Sequence, residues 1–185
     1  MRLESLPIIK LPDISIRQLE RTDIEEWFAY LSIPEVLKET SWDLKSIQDL
    51  EQAFDNIETA SKNSPVRFAI LDTKYERLIG TCGFHSVSDI NRTAEIAYDL
   101  SPDYWNLGIA TNVCKAVTEW GFNDRGWIRI QATVLDTNQP SENVLIKCGF
   151  AFEGILRSYR VVKNIPRNFK MYSRISHSDS LTTIE

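Results

Sequence analysis

Ala94-Glu95-Ile96-Ala97-Tyr98-Asp99-Leu100, then Ser101-Pro102-Asp103-Tyr104-Trp105, then Asn106-Leu107-Gly108-Ile109-Ala110-Thr111 and on to Gly121, is the stretch that decides how this chain folds. Ile96, Tyr98 and Leu100 recur at period two, which puts them on one face of a strand, and Pro102 closes it. Ile109, Val113, Val117 and Trp120 recur at spacings of four, four and three, the stripe of a helix packed on a core. Gly121 stands where a helix commonly ends. Between strand and helix, Gly108-x-Ala110 offers small residues at a helix N-terminus. Unpaired N–H groups and the positive end of the helix dipole there suit a pyrophosphate. A plain strand–turn–helix packing unit has the same pattern, so the loop by itself leaves both readings open.

Upstream, Ile14 to Leu19 alternates as a first strand. Thr22-x-x-Glu25 predicts a capping box ahead of a helix carrying Ile24, Trp27, Phe28 and Leu31, interrupted at Pro34. Asp43 is placed to cap a second helix with Leu44, Ile47, Leu50, Phe54 and Ile57 on one face. Val66 to Leu71, Leu78 to Val87 (broken by Gly80 and Gly83) and Thr93 to Leu100 predict an antiparallel meander. Downstream, Asp124-Arg125-Gly126 is a turn and Trp127 to Val134 a strand. The helix between them predicts that this strand runs parallel to the one ending at Leu100. Asn138 to Cys148 is a helix, with Gly149 just past its end. Phe150 to Ser158 and Tyr159 to Ile175 are two last strands around a turn near Asn164-Ile165-Pro166.

The fold class expected is therefore α/β of the mixed α+β kind. A mostly antiparallel mixed sheet, with helices on both faces and one parallel pair, forms a single domain over residues 1–175. Met1 to Pro12 reads as a loose arm and 176–185 as a polar, disordered tail. With 185 residues, 43% of them hydrophobic, one domain can bury a substantial core. A formal net charge of −5 argues against a general nucleic-acid binder or an anionic membrane surface as partner. There is no signal-peptide pattern and no apolar run of the ~18 residues a membrane span needs. Cys82, Cys114 and Cys148 are odd in number and far apart, with no C-x-x-C pair. That points to a reducing compartment, the cytoplasm, and to no metal.

Tyr104-Trp105-Asn106-Leu107-Gly108-Ile109-Ala110-Thr111 resembles the acyl-CoA pyrophosphate loop of the GNAT superfamily of N-acetyltransferases, whose pattern is Gln/Arg-x-x-Gly-x-Gly/Ala. Trp105 departs from the first position; Gly108 and Ala110 match the others. Ala-Glu-Ile-x-Tyr before a Tyr-Trp opening is similar to the RimJ/RimL-type branch. So are Asn138-x-x-Ser141 opening a helix that ends in Lys147-Cys148-Gly149-Phe150, and Phe152-Glu153-Gly154-Ile155-Leu156-Arg157 after it. The resemblance spans Ile14 to Ile175. It implies the GNAT fold, with the parallel strands splayed to hold a pantetheine arm. It also implies acetyl-CoA as cosubstrate and direct acetyl transfer to a primary amine. The branch's known acceptor is a protein N-terminal amine such as that of a ribosomal protein. A small amine (amino acid, polyamine or aminoglycoside) is the alternative, and a non-catalytic acyl-CoA-binding module or a plain structural domain stand beside these. The protein is expected as a monomer or homodimer. Tyr98, Asp99 and Leu100 would border the thioester, with carbonyl polarisation by a backbone N–H at a bulge in that strand. Trp105, Asn106, Leu107, Gly108, Ile109, Ala110 and Thr111 would hold the pyrophosphate. The branch's last strand often carries an acid after its turn, where this chain has Arg167-Asn168-Phe169-Lys170.

Acetyl transfer needs a neutral amine, a polarised thioester carbonyl and a thiolate that can leave. Glu95, flanked by apolar residues, is the candidate base, with a carboxyl pKa expected to be raised by burial. The competing reading is an ion pair with Arg67 or Arg92, and solvent can also take the amine proton. Ser141 is the candidate acid; the resemblance puts the matching Ser near the CoA sulfur, but Ser also favours helix capping. Tyr98 and Tyr159 are alternatives. Asn138 would hydrogen-bond pantetheine amides, since its side chain both donates and accepts, or else serve as a turn residue. His85 reads as a surface or substrate-wall residue, and His177 lies in the tail. Trp27, Trp42 and Phe84 are core residues or acceptor-site walls. Cys148 reads as core.

Overall fold

The computed structural model describes residues 3–58 and 63–176. Seven strands form one sheet in the order β1-β2-β3-β4-β5-β7-β6. They are β1 (Ile14–Gln18), β2 (Val66–Asp72), β3 (Arg77–Ser88), β4 (Thr93–Leu100), β5 (Arg129–Leu135), β6 (Ala151–Val162) and β7 (Ile165–Ile175). Helices α1 (Ile24–Leu31), α2 (Pro34–Lys38) and α3 (Ile47–Glu58) precede β2. Helix α4 (Ile109–Asn123) connects β4 to β5, and α5 (Gln139–Lys147) connects β5 to β6. Every strand pair is antiparallel except β4–β5. This is the predicted mixed sheet.

Two apolar cores follow from the alternation of the strands. On one face Phe84, Ile96, Val113, Val117, Trp120 and Ile130 pack around α4. On the other, Trp27, Leu31, Leu50, Phe54 and Ala69 pack beneath α1 and α3. Each large side chain of this kind contributes about 1.5–3 kcal/mol on full burial.

The parallel pair sets up the site. β4 and β5 pair only at Thr93–Arg129, Ala94–Ile130 and Glu95–Gln131. β5 then stays with β7 as far as Leu135–Phe169, while β4 stays with β3 as far as Leu100–Gly80. The two strands diverge, leaving a slot bordered by Ile96–Leu100.

Several local expectations are corrected. Thr22 does not cap α1. Asp23 does the work at that turn, accepting Glu20 N at 2.8 Å and two Arg17 guanidinium bonds at 2.7 Å. α3 begins at Ile47 rather than after Asp43, because Asp49 Oδ2 gathers the amides of Lys45 and Ser46. Gly80 and Gly83 do not break β3. A Cβ on Gly83 would stand 2.0 Å from Val66 O, so glycine there permits the strand pairing itself. Gly121 lies inside α4, and a Cβ on it would meet Ile130 at 2.8 Å and Trp127 at 2.9 Å. It allows close packing and ends nothing. β6 continues past Ser158 to Val162 because the strand bulges between Leu156 and Arg160, and the hairpin turn falls at Lys163-Asn164. Residues 3–12 are docked rather than loose: Leu3 N donates to Gln18, Ser5 Oγ accepts Trp120 Nε1 at 2.9 Å, and Ile9 and Leu11 pack on the core. The predicted tail beyond Ser176, with His177, lies outside the described residues.

Candidate acetyl-transfer site

Helix α4 begins at Gly108, whose φ of 76° is a left-handed conformation that glycine adopts without strain. Asn106 before it also has a positive φ, 62°. α1, α2, α3 and α5 each carry a Glu or Asp in the first turn; α4 carries none, and no side chain caps it. Its leading N–H groups and dipole therefore face outward without a protein anion. A Cβ on Gly108 would have only Asn112 Nδ2 nearby, at 3.9 Å. That is a cradle for an anionic group.

The loop is braced from behind. Trp105 Nε1 donates to Leu100 O at 2.8 Å, and Tyr104 OH donates to Asp72 at 2.7 Å while accepting from Arg77. Trp105 thus ties the loop to the strand end, a role that does not need the polar residue usual at its position. Leu107 is exposed and Ile109 buried, while Ala110 and Thr111 form the first turn of α4. Cys148 Sγ reaches Thr111 O at 3.3 Å, fastening the end of α5 to the start of α4.

Across the slot, Tyr98 and Ser141 meet. Their hydroxyls are 3.0 Å apart, and Tyr98 OH also donates to Ser141 O at 3.0 Å, so the bond between the hydroxyls runs from Ser141 to Tyr98. Burial keeps the phenol protonated, its pKa well above the usual value. Ser141 is free for this contact because Asn138, not Ser141, caps α5: Asn138 Oδ1 accepts Ser141 N at 3.0 Å. Asn138 Nδ2 donates to Glu39 O at 2.8 Å. Its carboxamide thus makes one bond to the protein at each end, and the second Nδ2 hydrogen and the second Oδ1 lone pair are left for another partner.

On the opposite face stands Glu95, buried among donors. Thr133 Oγ1 donates to it at 2.6 Å, Arg160 lies at 3.2 Å and Gln131 at 3.4 Å, while His85 Nε2 is 3.3 Å from Oε1 but off the line of a hydrogen bond. The expected partners do not reach it. Arg67 bonds Asp99 and Thr81, and Arg92 bonds Gly126 O. The expected direction of the pKa shift is also reversed. Burial pushes the carboxyl up, but His85, Thr133 and Arg160 outweigh it and hold the group near 2.

The Asp99 carboxylate turns into a buried cluster with Arg67, Thr81 and Tyr30, which leaves its main chain to border the slot. The bulge expected near Tyr98 to Leu100 lies instead on β3, where His85 is the extra residue between Phe84–Ile96 and Ser86–Glu95. Arg167 pairs with Asp136, Asn168 braces Ser158, and Lys170 pairs with Glu142 at 2.6 Å. A cleft of about 510 Å³ opens on the Glu95 face. Trp27, Trp42 and Phe84 line it, together with Asn56, Arg67 and His85. The three aromatics are both core and wall, readings that sequence could only oppose.

Residues 13–151 match the acetyltransferase (GNAT) domain family. The chain belongs to the GNAT acetyltransferase family. It is an N-acetyltransferase, and the relatives agree. The Bacillus subtilis protein YoaA, described as an uncharacterised N-acetyltransferase, is 34% identical over 90% of this chain and 96% of its own. The ribosomal-protein-serine acetyltransferase of Escherichia coli is 27% identical over 57% of this chain and 59% of its own. A GNAT-family acetyltransferase structure from Bacillus anthracis superposes with a TM-score of 0.76 at 27% identity, over 90% of this chain and 97% of that one. The fold is also that of the Vibrio cholerae spermidine N-acetyltransferase solved with CoA and spermine: TM-score 0.77, 20% identity, 88% and 95% covered. The GNAT match settles the family but leaves the RimJ/RimL-type branch open. Among the described residues no helix is long and apolar enough to cross a membrane, and the three cysteines are buried free thiols.

Proposed function

We propose that this GNAT protein moves an acetyl group from acetyl-CoA directly to the N-terminal amine of a protein, as in the RimJ/RimL-type branch. The observation that carries the acceptor class is the wall of the cleft. Among the described residues it offers aromatics, the amides of Asn56 and Asn63, and Arg67, but no carboxylate. A polyamine carries several positive charges and needs several anions to match them; a peptide N-terminus carries one ammonium and a backbone that amides can hydrogen-bond.

The uncapped N-terminus of α4 would take the pyrophosphate, and the slot along Ile96–Leu100 the pantetheine. The amine then enters from the Glu95 face, and the sulfur lies towards Tyr98 and Ser141 on the other. The neutral amine attacks the thioester carbonyl, the C–N bond forms and the C–S bond breaks with its electron pair on sulfur. The proton released from nitrogen is matched by one delivered to the thiolate, for which Ser141 and the neutral phenol of Tyr98 are the candidates, a reading that their shared hydrogen bond supports. Among the described residues the cleft wall holds no thiol.

The test is acetyl transfer from acetyl-CoA to alanine- and serine-initiated peptides against spermidine, read by mass spectrometry. Peptide turnover at least ~10-fold faster supports the reading, since a mismatched charge costs more than a kcal/mol. Preference for spermidine would overturn it.

A further inference from the structure

We propose that His85, rather than Glu95, takes the proton from the acceptor amine, with Glu95 serving as counter-ion to the imidazolium that forms. This rests on the acetyl-transfer reading above and names a residue that the sequence pattern left as wall. Three observations carry it. First, His85 is the extra residue of the β3 bulge, opposite the Ile96–Glu95 step of β4. A bulge re-aims the side chain it carries, and this one puts the imidazole beside the carboxylate. Second, His85 lines the acceptor cleft and Glu95 does not. An amine entering the cleft meets the ring before it meets the carboxylate. Third, His85 Nε2 is buried and has no hydrogen-bond partner among the described residues, although Glu95 Oε1 lies 3.3 Å away. The ring stands beside the carboxylate and is not committed to a structural bond.

Glu95 is unsuited to the task itself. Thr133, Arg160 and Gln131 occupy its oxygens, and its affinity for a proton is low. The same features make it a good counter-ion, held in its charged form and fixed in place by its donors. The charged groups around the ring are Glu95 of β4, Arg160 of β6 behind that carboxylate, and Arg67 of β2, which shares the cleft but is paired with Asp99. In the tautomer that carries its proton on Nε2, Nδ1 keeps the lone pair. The ammonium N–H bond breaks as the Nδ1–H bond forms, and the freed amine attacks the thioester. After transfer the imidazolium returns its proton to solvent, so each turnover releases one net proton. The imidazole–carboxylate arrangement follows the general logic of an oriented base.

The experiment compares wild type, His85→Gln and His85→Ala with acetyl-CoA and two acceptors of the same shape. One is the alkylamine that the wild type acetylates, and the other its alkoxyamine analogue, a far weaker base that is already neutral. Thiol release is followed, and acetyl-CoA binding is measured by calorimetry as the check on folding. The expected result is a fall in kcat of about 100-fold or more on the alkylamine, the usual worth of a general base. The alkoxyamine should lose less than about 5-fold, acetyl-CoA affinity should hold, and added imidazole should restore turnover to His85→Ala. Equal losses on both acceptors, or unchanged kcat in His85→Gln with cofactor binding intact, would overturn the proposal. A wild type that binds acetyl-CoA but acetylates no amine removes the acetyl-transfer reading, and the role of His85 with it.

Discussion

Replacing Glu95 with glutamine removes a carboxylate that the fold holds ionised, and the consequence shows in how stability depends on pH. The folded-state pKa is near 2 against a reference of 4.5, because Thr133, His85 and Arg160 outweigh the effect of burial. A depressed pKa means stability that is fully present above the unfolded value of 4.5 and is lost as the pH falls through the folded value near 2. The full shift is worth about 3 kcal/mol at 1.36 kcal/mol per unit. Between pH 6.5 and pH 3.5 the unfolded glutamate takes up its proton and the folded one does not, so about 1–2 kcal/mol of that is lost. Glutamine has no proton to take up. Urea unfolding of wild type and Glu95→Gln at both pH values measures this. The wild type should lose about 1–2 kcal/mol more than the variant over the interval, a difference of roughly half a molar in midpoint for a slope near 3 kcal/mol/M. Glu153, whose carboxyl is also held near 2 by Arg129 and Ser173, is common to both proteins and cancels. Parallel losses would refute the description of Glu95 as an ionised, donor-saturated carboxylate.

Other residues give sharper outcomes in turnover or stability. Tyr98→Phe and Ser141→Ala should each lower kcat about 10–100-fold, and the double variant little more, because the two hydroxyls share one hydrogen bond; additive losses in steady-state thiol release would separate their roles. Gly121→Ala should destabilise by about 1–3 kcal/mol through overpacking against Ile130 and Trp127 while leaving acetyl-CoA affinity unchanged. Asn138→Ala should cost about 1 kcal/mol in thermal unfolding by uncapping α5, and a loss of cofactor affinity out of proportion to that would support the pantetheine contact.

The strand, loop and helix from Ala94 to Gly121 were legible because each is written in local periodicity, and the parallel pairing followed from the helix between two strands. What sequence could not supply was partnership across the sheet. Glu95 meets Thr133, Arg160 and His85 from three other strands, and no spacing rule connects residues 38, 65 and 10 positions away. The reversed pKa direction follows from that: burial was foreseeable and the donors were not. Gly121 was read as a helix stop because a capping glycine and a close-packing glycine look alike until the neighbouring strand is in place. His85 was legible only as a surface or wall residue, and it does line the cleft; a bulge leaves no sequence mark, and without the bulge nothing sets the ring beside the carboxylate. Ser141 has the residue type of a helix cap, but Asn138, three positions earlier, takes that place once the helix start is fixed.

The central claim is that the uncapped start of α4 at Gly108 is the seat of the acetyl-CoA pyrophosphate. Calorimetric titration of wild type and Gly108→Trp with acetyl-CoA tests it most directly. The indole would project into the open space before the helix, while the positive φ costs the folded state only about 1–2 kcal/mol. Saturable binding by the wild type, lost in a variant whose circular dichroism is unchanged, is the result this account predicts. No binding by the wild type at millimolar acetyl-CoA, or equal binding by both proteins, would contradict it.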